Sequence, residues 1–155
     1  MSKLEIFMLI YDENVGVVLI KDKLIFVGKR KKQGTWQMPQ GNVDSLESPF
    51  EAASRELYEE IGVSNVEWVG ETGWRYYNFP EYVKKQTCFA NKKGKKQKWF
   101  YALLYEECTI KLGDEFCDYQ WIQDEWIRKN IIGFKRNVYN YVFDHEIYQR
   151  IKFSN

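Results

Sequence analysis

Three glutamates within five residues, Glu56, Glu59 and Glu60, are the side chains of this sequence most suited to chemistry. At about 100° per residue they fall together on one helical face, where like charges at i,i+3 and i,i+4 repel by roughly 0.2–0.5 kcal/mol per pair. The last turn of a helix disfavours anions as well. Something positive belongs there, and a tight group of oxygen ligands suits a hard divalent cation such as Mg²⁺, which keeps several waters and binds a few carboxylates plus substrate phosphates. Three glutamates alone leave a second reading open, a solvated acidic helix face.

The helix that would carry them has legible ends. Ser48 is placed to be the N-cap, Pro49 fits the first helical position, and Glu51 completes a Ser-x-x-Glu capping box. Gly62 ends it, since a glycine just past the last turn can take the left-handed conformation. Phe50, Ala53, Leu57 and Ile61 make an apolar stripe for the core, centred roughly 110° from the carboxylates.

From Gly41 to Val63 the chain reads Gly-x5-Glu-x7-Arg-Glu-Leu-x-Glu-Glu-x-Gly-Val. This stretch resembles the Nudix box at every defined position, the signature of Mg²⁺-dependent hydrolases of nucleoside diphosphates linked to another moiety. The resemblance implies that Glu56, Glu59 and Glu60 are metal ligands and catalytic, that Gly41 lends a backbone carbonyl, and that Glu47 and Arg55 pin the loop to the helix, with Gly62 closing it. It implies Mg²⁺ as cofactor, with Mn²⁺ as its substitute.

The 155 residues suit one domain, long enough to bury about 68–70% of the unfolded surface around one core. Hydrophobic residues at 45% and charged residues at 29% are ordinary for a globular protein, whereas 17% aromatic residues call for a use in packing or in stacking on bases. No apolar run approaches a membrane span, and Glu5 stands where a signal peptide would continue its apolar run, so a cytoplasmic chain is expected. Cys88, Cys108 and Cys117 form no CxxC pair and are read as reduced, small apolar residues. The net charge of +1 hides segregation: the glutamate helix is acidic, while 29–32 and 92–98 are dense in lysine and arginine. Such runs are usually solvated loops, yet beside a phosphate-binding metal they would attract a polyanion.

Asn14 to Ile20 suits a buried strand, turned at Lys21-Asp22-Lys23 into a second apolar run, Leu24 to Val27. The segment 31–35 reads as a loop, and Trp36 to Gln40 leads extended chain to Gly41. Val66 to Tyr77 predicts extended chain interrupted at Gly70 and Gly73, closed by Pro80. Lys84 to Lys98 reads as too polar for a core strand, hence a hairpin or loop before a strong strand from Trp99 to Tyr105. Trp121-Ile122 is expected to begin a short extended piece, and Phe134, Val138, Tyr141, Val142 and His145 predict one closing helix. His145, the only histidine, has no partner at ligand spacing and reads as packed or surface-exposed.

Outside the box, Asn14-Val15-Gly16, Trp36 to Gly41, Gln97-Lys98-Trp99-Phe100, Glu115-Phe116 and the Phe134 to Tyr139 region resemble one branch of the Nudix proteins, the bacterial RNA pyrophosphohydrolases and related dinucleoside polyphosphate hydrolases. That likeness implies an α/β/α sandwich with a mixed sheet between helices, and substrates carrying a 5′ polyphosphate. It makes Glu115 a further metal ligand and catalytic residue. Arg30, with Lys29 beside it, and Phe134 would sandwich a base, and Gln40, Gln97, Lys98 and Lys135 would complete the substrate contacts. Two departures stand out. Asp12-Glu13 replaces a basic residue that many members carry, and Cys117-Asp118-Tyr119 replaces Asp-Gly-Trp. The expected activity is removal of pyrophosphate from the 5′ end of triphosphorylated RNA by a chain favoured to be monomeric. The alternatives are asymmetric hydrolysis of a dinucleoside polyphosphate and a non-catalytic nucleotide- or RNA-binding module.

Overall fold

A computed structural model describes residues 1–85, 92–131 and 133–155, with residues 7–9 described through their backbone alone. Its centre is β1 (Tyr11–Lys21), buried on both faces from Val15 to Ile20. Such burial is why Val15 to Ile20 reads as a continuous β-branched and aliphatic run rather than as an alternation. β1 turns into β2 (Leu24–Arg30) through Asp22 and Lys23, both at positive φ (50° and 64°), the two-residue turn whose twist matches that of the strands it joins.

Among the described residues eight strands form one mixed sheet. β2 pairs with β3 (Trp36–Gln37) and β8 (Phe116–Ile122), and β1 pairs antiparallel with β4 (Gln40–Asn42). On its other side β1 runs parallel to β7 (Gly94–Leu103) for ten residue pairs, from Tyr11 opposite Gly94 to Ile20 opposite Leu103. β5 (Glu67–Glu71) and β6 (Arg75–Asn78) share the far edge of β7. Between them the Thr72 hydroxyl accepts a hydrogen bond from the Trp99 N–H at 3.0 Å, carrying the ladder across the interruption.

Helices cover both faces, as the expected sandwich requires. α2 (Pro49–Ile61) packs Ala52, Ala53, Leu57 and Ile61 on Val15, Val17, Leu19, Phe26 and Phe100. The opposite face, with Val18, Ile20, Trp99 and Tyr101, is covered by α4 (Asp124–Asn130), α5 (Lys135–Asp144) and α6 (Glu146–Lys152). Two short helices, α1 (Lys3–Ile10) and α3 (Glu81–Lys84), complete the described elements. Buried tyrosines keep their hydroxyls paired: Tyr101 donates to the Val142 carbonyl at 2.6 Å, and Tyr139 accepts from the Met38 N–H at 3.0 Å.

Several expectations need correction. The lysine-rich segment is not excluded from the sheet, because β7 begins at Gly94 and its lysines are neutralised at its margins. Lys92 pairs with Asp12 (3.0 Å), Lys96 with Glu13 (3.7 Å) and Lys98 with Glu71 (2.8 Å). Asp12-Glu13 therefore anchors the basic run. Trp121-Ile122 ends a strand instead of beginning one, since its pairing with β2 starts at Phe116. The closing segment is two helices, because His145 leaves helical geometry (ψ 142°) and its Nδ1 accepts the Ile147 N–H at 3.2 Å, capping α6. α4 had no counterpart in the sequence reading. Phe50 is half exposed, although its ring meets Trp68 and Phe100 edge-on, and Ala52 takes its place in the buried stripe. Cys108 and Cys117 are free, as expected, but exposed instead of packed, and Cys88 lies outside the described residues. Among the described residues no helix is long and apolar enough to cross a membrane.

Candidate functional site

The acidic helix is built as its sequence spells it. Ser48 Oγ accepts the Glu51 N–H at 3.1 Å, Pro49 opens the first turn, and Gly62 (φ 73°) caps the end by donating its N–H to the Tyr58 carbonyl. The loop ahead of it is fastened by one side chain. Arg55 donates to both carboxylate oxygens of Glu47, at 2.7 and 2.8 Å, and to the Asn42 carbonyl at 3.0 Å. Glu47 in turn accepts the Asp44 N–H. The guanidinium pulls the Glu47 carboxyl down to about 2 despite burial.

Arg55 has a second pair of partners, Glu56 at 2.9 Å and Glu59 at 3.2 Å. It thereby screens the repulsion that the glutamate spacing creates. Glu60 gets no such help. It is 7% exposed, and its Oε2 is buried with no hydrogen-bond partner. Burial, followed by the charges of Glu56 and Glu115, raises its carboxyl to about 9, against the pull of a hydrogen bond from the Gln40 backbone. Burial likewise raises Glu56, with Arg55 opposing.

Gly41 brings the β4 backbone against this cluster, for a Cβ there would collide with the Glu56 carboxylate. Glu115 comes from the other side, just before β8, and accepts from Arg30 Nε at 3.0 Å. As these side chains stand, no three acid, histidine or cysteine groups among the described residues are gathered at metal-ligating distance. Glu56 and Glu59 are paired with Arg55 instead, and Glu115 with Arg30. The donor set still fits a divalent cation: all oxygen, mutually repelling, and centred on a buried carboxylate oxygen that lacks a partner.

Beside the acids opens a cavity of about 530 Å³. Arg30, Lys95 and Lys135 bring positive charge to it, and Trp36, Tyr77, Phe79, Tyr82 and Phe134 bring aromatic surface. Four of the anticipated substrate residues meet here: Arg30, Gln40, Phe134 and Lys135. Lys135 donates to Gln37 Oε1 at 2.7 Å, and burial, reinforced by Arg30 and Lys95, lowers its ammonium to about 7.

The remaining anticipated residues sit elsewhere. Gln97 is buried, donating to Asn14 Oδ1 at 2.7 Å and accepting from Trp99 Nε1 at 3.0 Å. Lys98 is on the α2 side of β7, with Glu71 and the Trp74 ring. Lys29, next to Arg30 on β2, is not among the residues lining the cavity. Lys95 was the one missed. It shares a face of β7 with Trp99 and Tyr101, lines the cavity, and has no hydrogen-bond or ion-pair partner among the described residues. Its lysine is pushed down by burial. Extending the alternation of 99 and 101 back to 97 and 95 would have found it.

Comparison with known proteins gives the family and the fold. The NUDIX domain family model matches residues 1–142. An RNA pyrophosphohydrolase of Rhodospirillum rubrum is 37% identical over 139 residues, covering 85% of this chain and 84% of that protein. One of Sulfurovum sp. is 36% identical over 148 residues, covering 88% and 93%. Among solved structures, the dihydroneopterin triphosphate pyrophosphohydrolase of E. coli superposes with a TM-score of 0.72 over 88% of this chain and 99% of that one, at 18% identity, a likeness of fold.

Proposed function

Because the chain belongs to the NUDIX family, we propose that it is an RNA pyrophosphohydrolase. Water attacks a phosphoanhydride of the 5′ triphosphate, the bond to the leaving pyrophosphate breaks, and a 5′ monophosphate remains. The observation that carries this reading is the buried Glu60 carboxylate, with one oxygen unpartnered, held by the Gln40 backbone beside a cavity lined by cations and aromatic rings. Relatives named RNA pyrophosphohydrolase support the substrate.

Divalent cations serve the family generally, and on this reading the cation is Mg²⁺, with Mn²⁺ as substitute. The Gly41 carbonyl and the carboxylates of Glu56, Glu59, Glu60 and Glu115 would hold it. When bound it supplies Lewis-acid activation of water and neutralisation of phosphate charge. The chain's own residues do the rest. Arg55 fixes Glu56 and Glu59 on the helix while Glu47 fixes Arg55. Lys95 and Lys135 meet phosphate oxygens, and a base stacks between the Arg30 guanidinium and the Phe134 ring, a contact worth roughly 1–3 kcal/mol whatever the base. The aromatic walls exclude water from the bound strand. The reading also takes the chain as one cytoplasmic domain, acting as a monomer.

Purified protein with Mg²⁺ and triphosphorylated RNA should release pyrophosphate and leave monophosphorylated ends. No turnover of that RNA, with brisk turnover of diadenosine tetraphosphate, would replace this reading with a dinucleoside polyphosphate hydrolase.

A further inference from the structure

A second cavity, of about 350 Å³, lies behind the first. Tyr77 and Phe134 line both, their ring centroids 6.0 Å apart, so this pair is a partition with one cavity on each side. The far wall of the second cavity is Arg75 on β6 and Tyr141 on α5, with the guanidinium 3.9 Å from the Tyr141 ring centre. Arg75 is exposed, and it has no carboxylate partner among the described residues. Gln97 and Trp99 line it as well, and their mutual hydrogen bond at 3.0 Å fixes that part of the wall.

Flat groups from two such pairs therefore line one cavity, and one of them carries a positive charge with no carboxylate partner among the described residues. A guanidinium already lying on one ring offers its other face to a nucleobase and its N–H edges to a phosphate. We propose that the second cavity is a subsite for a further nucleotide of the RNA strand. Its base lies between the Arg75–Tyr141 stack and the Tyr77–Phe134 partition, while the first cavity holds the nucleotide nearer the 5′ end. The inference rests on the RNA reading above, and it gives the chain a preference for strand length that the acid cluster and first cavity alone would not produce.

The test compares wild type with Arg75→Ala and Arg75→Lys on a Mg²⁺-supported ladder: a nucleoside triphosphate, then 5′-triphosphorylated di-, tri- and tetranucleotides. Wild-type kcat/KM should step upward at the length that first reaches the second cavity. Arg75→Ala should erase that step, a loss of roughly 5- to 150-fold, and leave shorter substrates unchanged. Arg75→Lys, which keeps the charge but not the plane, should restore only part of it. Equal loss at every length, or no loss at any, overturns the proposal. A loss confined to diadenosine tetraphosphate also overturns it, assigning the cavity to that substrate's distal nucleoside. Binding of 5′-monophosphorylated oligonucleotides, which needs no turnover, should show the same length step and the same Arg75 dependence. Its presence in a protein that does not hydrolyse triphosphorylated RNA would reject the enzymatic reading and keep the subsite, whereas its absence from an active enzyme rejects the subsite alone.

Discussion

The glutamates of α2 and the cations of the first cavity are neighbours, yet they are held in opposite ways. On α2 one guanidinium, Arg55, grips Glu47, Glu56 and Glu59, and only Glu60 is left with a buried oxygen unpaired. In the cavity only Arg30 has a carboxylate, Glu115, while Lys135 has a neutral amide and Lys95 has no partner among the described residues. The acids share one guanidinium and leave one buried carboxylate oxygen unpaired, whereas the cations line a cavity with little carboxylate to neutralise them. On the proposed function, chemistry is concentrated at a point and recognition is spread over a wall.

Breaking the acidic side should have the largest effect. Glu60→Gln keeps the shape of the side chain and removes an anion that burial and its neighbours already disfavour. Hydrolysis should fall by several orders of magnitude, and the melting temperature should hold or rise, because folding no longer has to suppress the ionisation of a buried carboxyl. Activity near wild type would show that the cluster is not the reacting centre. Arg55→Ala should cost stability as well as activity, about 2–3 kcal/mol in denaturant unfolding, because Glu47 and Glu56 would be left as largely buried carboxylates without their partner. Unchanged stability would mean that the loop is held without Arg55.

How far each side could be read from the sequence follows from the same contrast. The acid cluster, its cap at Ser48, its stop at Gly62 and its pin at Glu47 lie within one local stretch, where 3.6-residue periodicity fixes their relation. The cavity draws Arg30 from β2, Lys95 from β7 and Lys135 from α5. Their meeting depends on the register of β1 with β7 and on helices packing across the sheet, which no short-range pattern encodes. Lys95 shows the cost most plainly: amid the basic run 92–98 it reads as loop charge, and its pairing with Asp12 of β1 and Tyr77 of β6 makes it a strand residue on the cavity side. His145 misled for a local reason, since it fits the helical spacing of α5 yet breaks the helix by capping α6.

The cationic side can be sharpened by pH. Burial, with Arg30 and Lys95, lowers Lys135 from 10.5 to about 7, so its positive charge is lost as pH rises through 7. KM for triphosphorylated RNA should rise over that interval in wild type, and this component should vanish in Lys135→Met. The stability sign is the reverse of the binding sign. Between about 7 and 10.5 the unfolded chain holds a proton that the folded chain has released, so this group's contribution to stability increases with pH across that window. A KM profile identical in Lys135→Met would remove Lys135 from recognition. Lys98→Ala should matter least, because its pairing with the half-exposed Glu71 is worth at most about 1 kcal/mol, read as a small shift in thermal unfolding. A large drop in RNA turnover there would mean that recognition extends to the α2 side of the sheet.

The division between point chemistry and spread recognition is tested most directly at Phe134, which lines both cavities and belongs to neither buried core cluster. The decisive measurement is kcat/KM of Phe134→Ala on triphosphorylated RNA and on a polyphosphate that carries no base, alongside thermal unfolding. The RNA value should fall roughly 5- to 150-fold while the base-free substrate is cleaved as by wild type and the melting temperature scarcely moves. A uniform loss on both substrates, with the drop in stability of about 3–5 kcal/mol expected of a truncated core phenylalanine, would contradict the account.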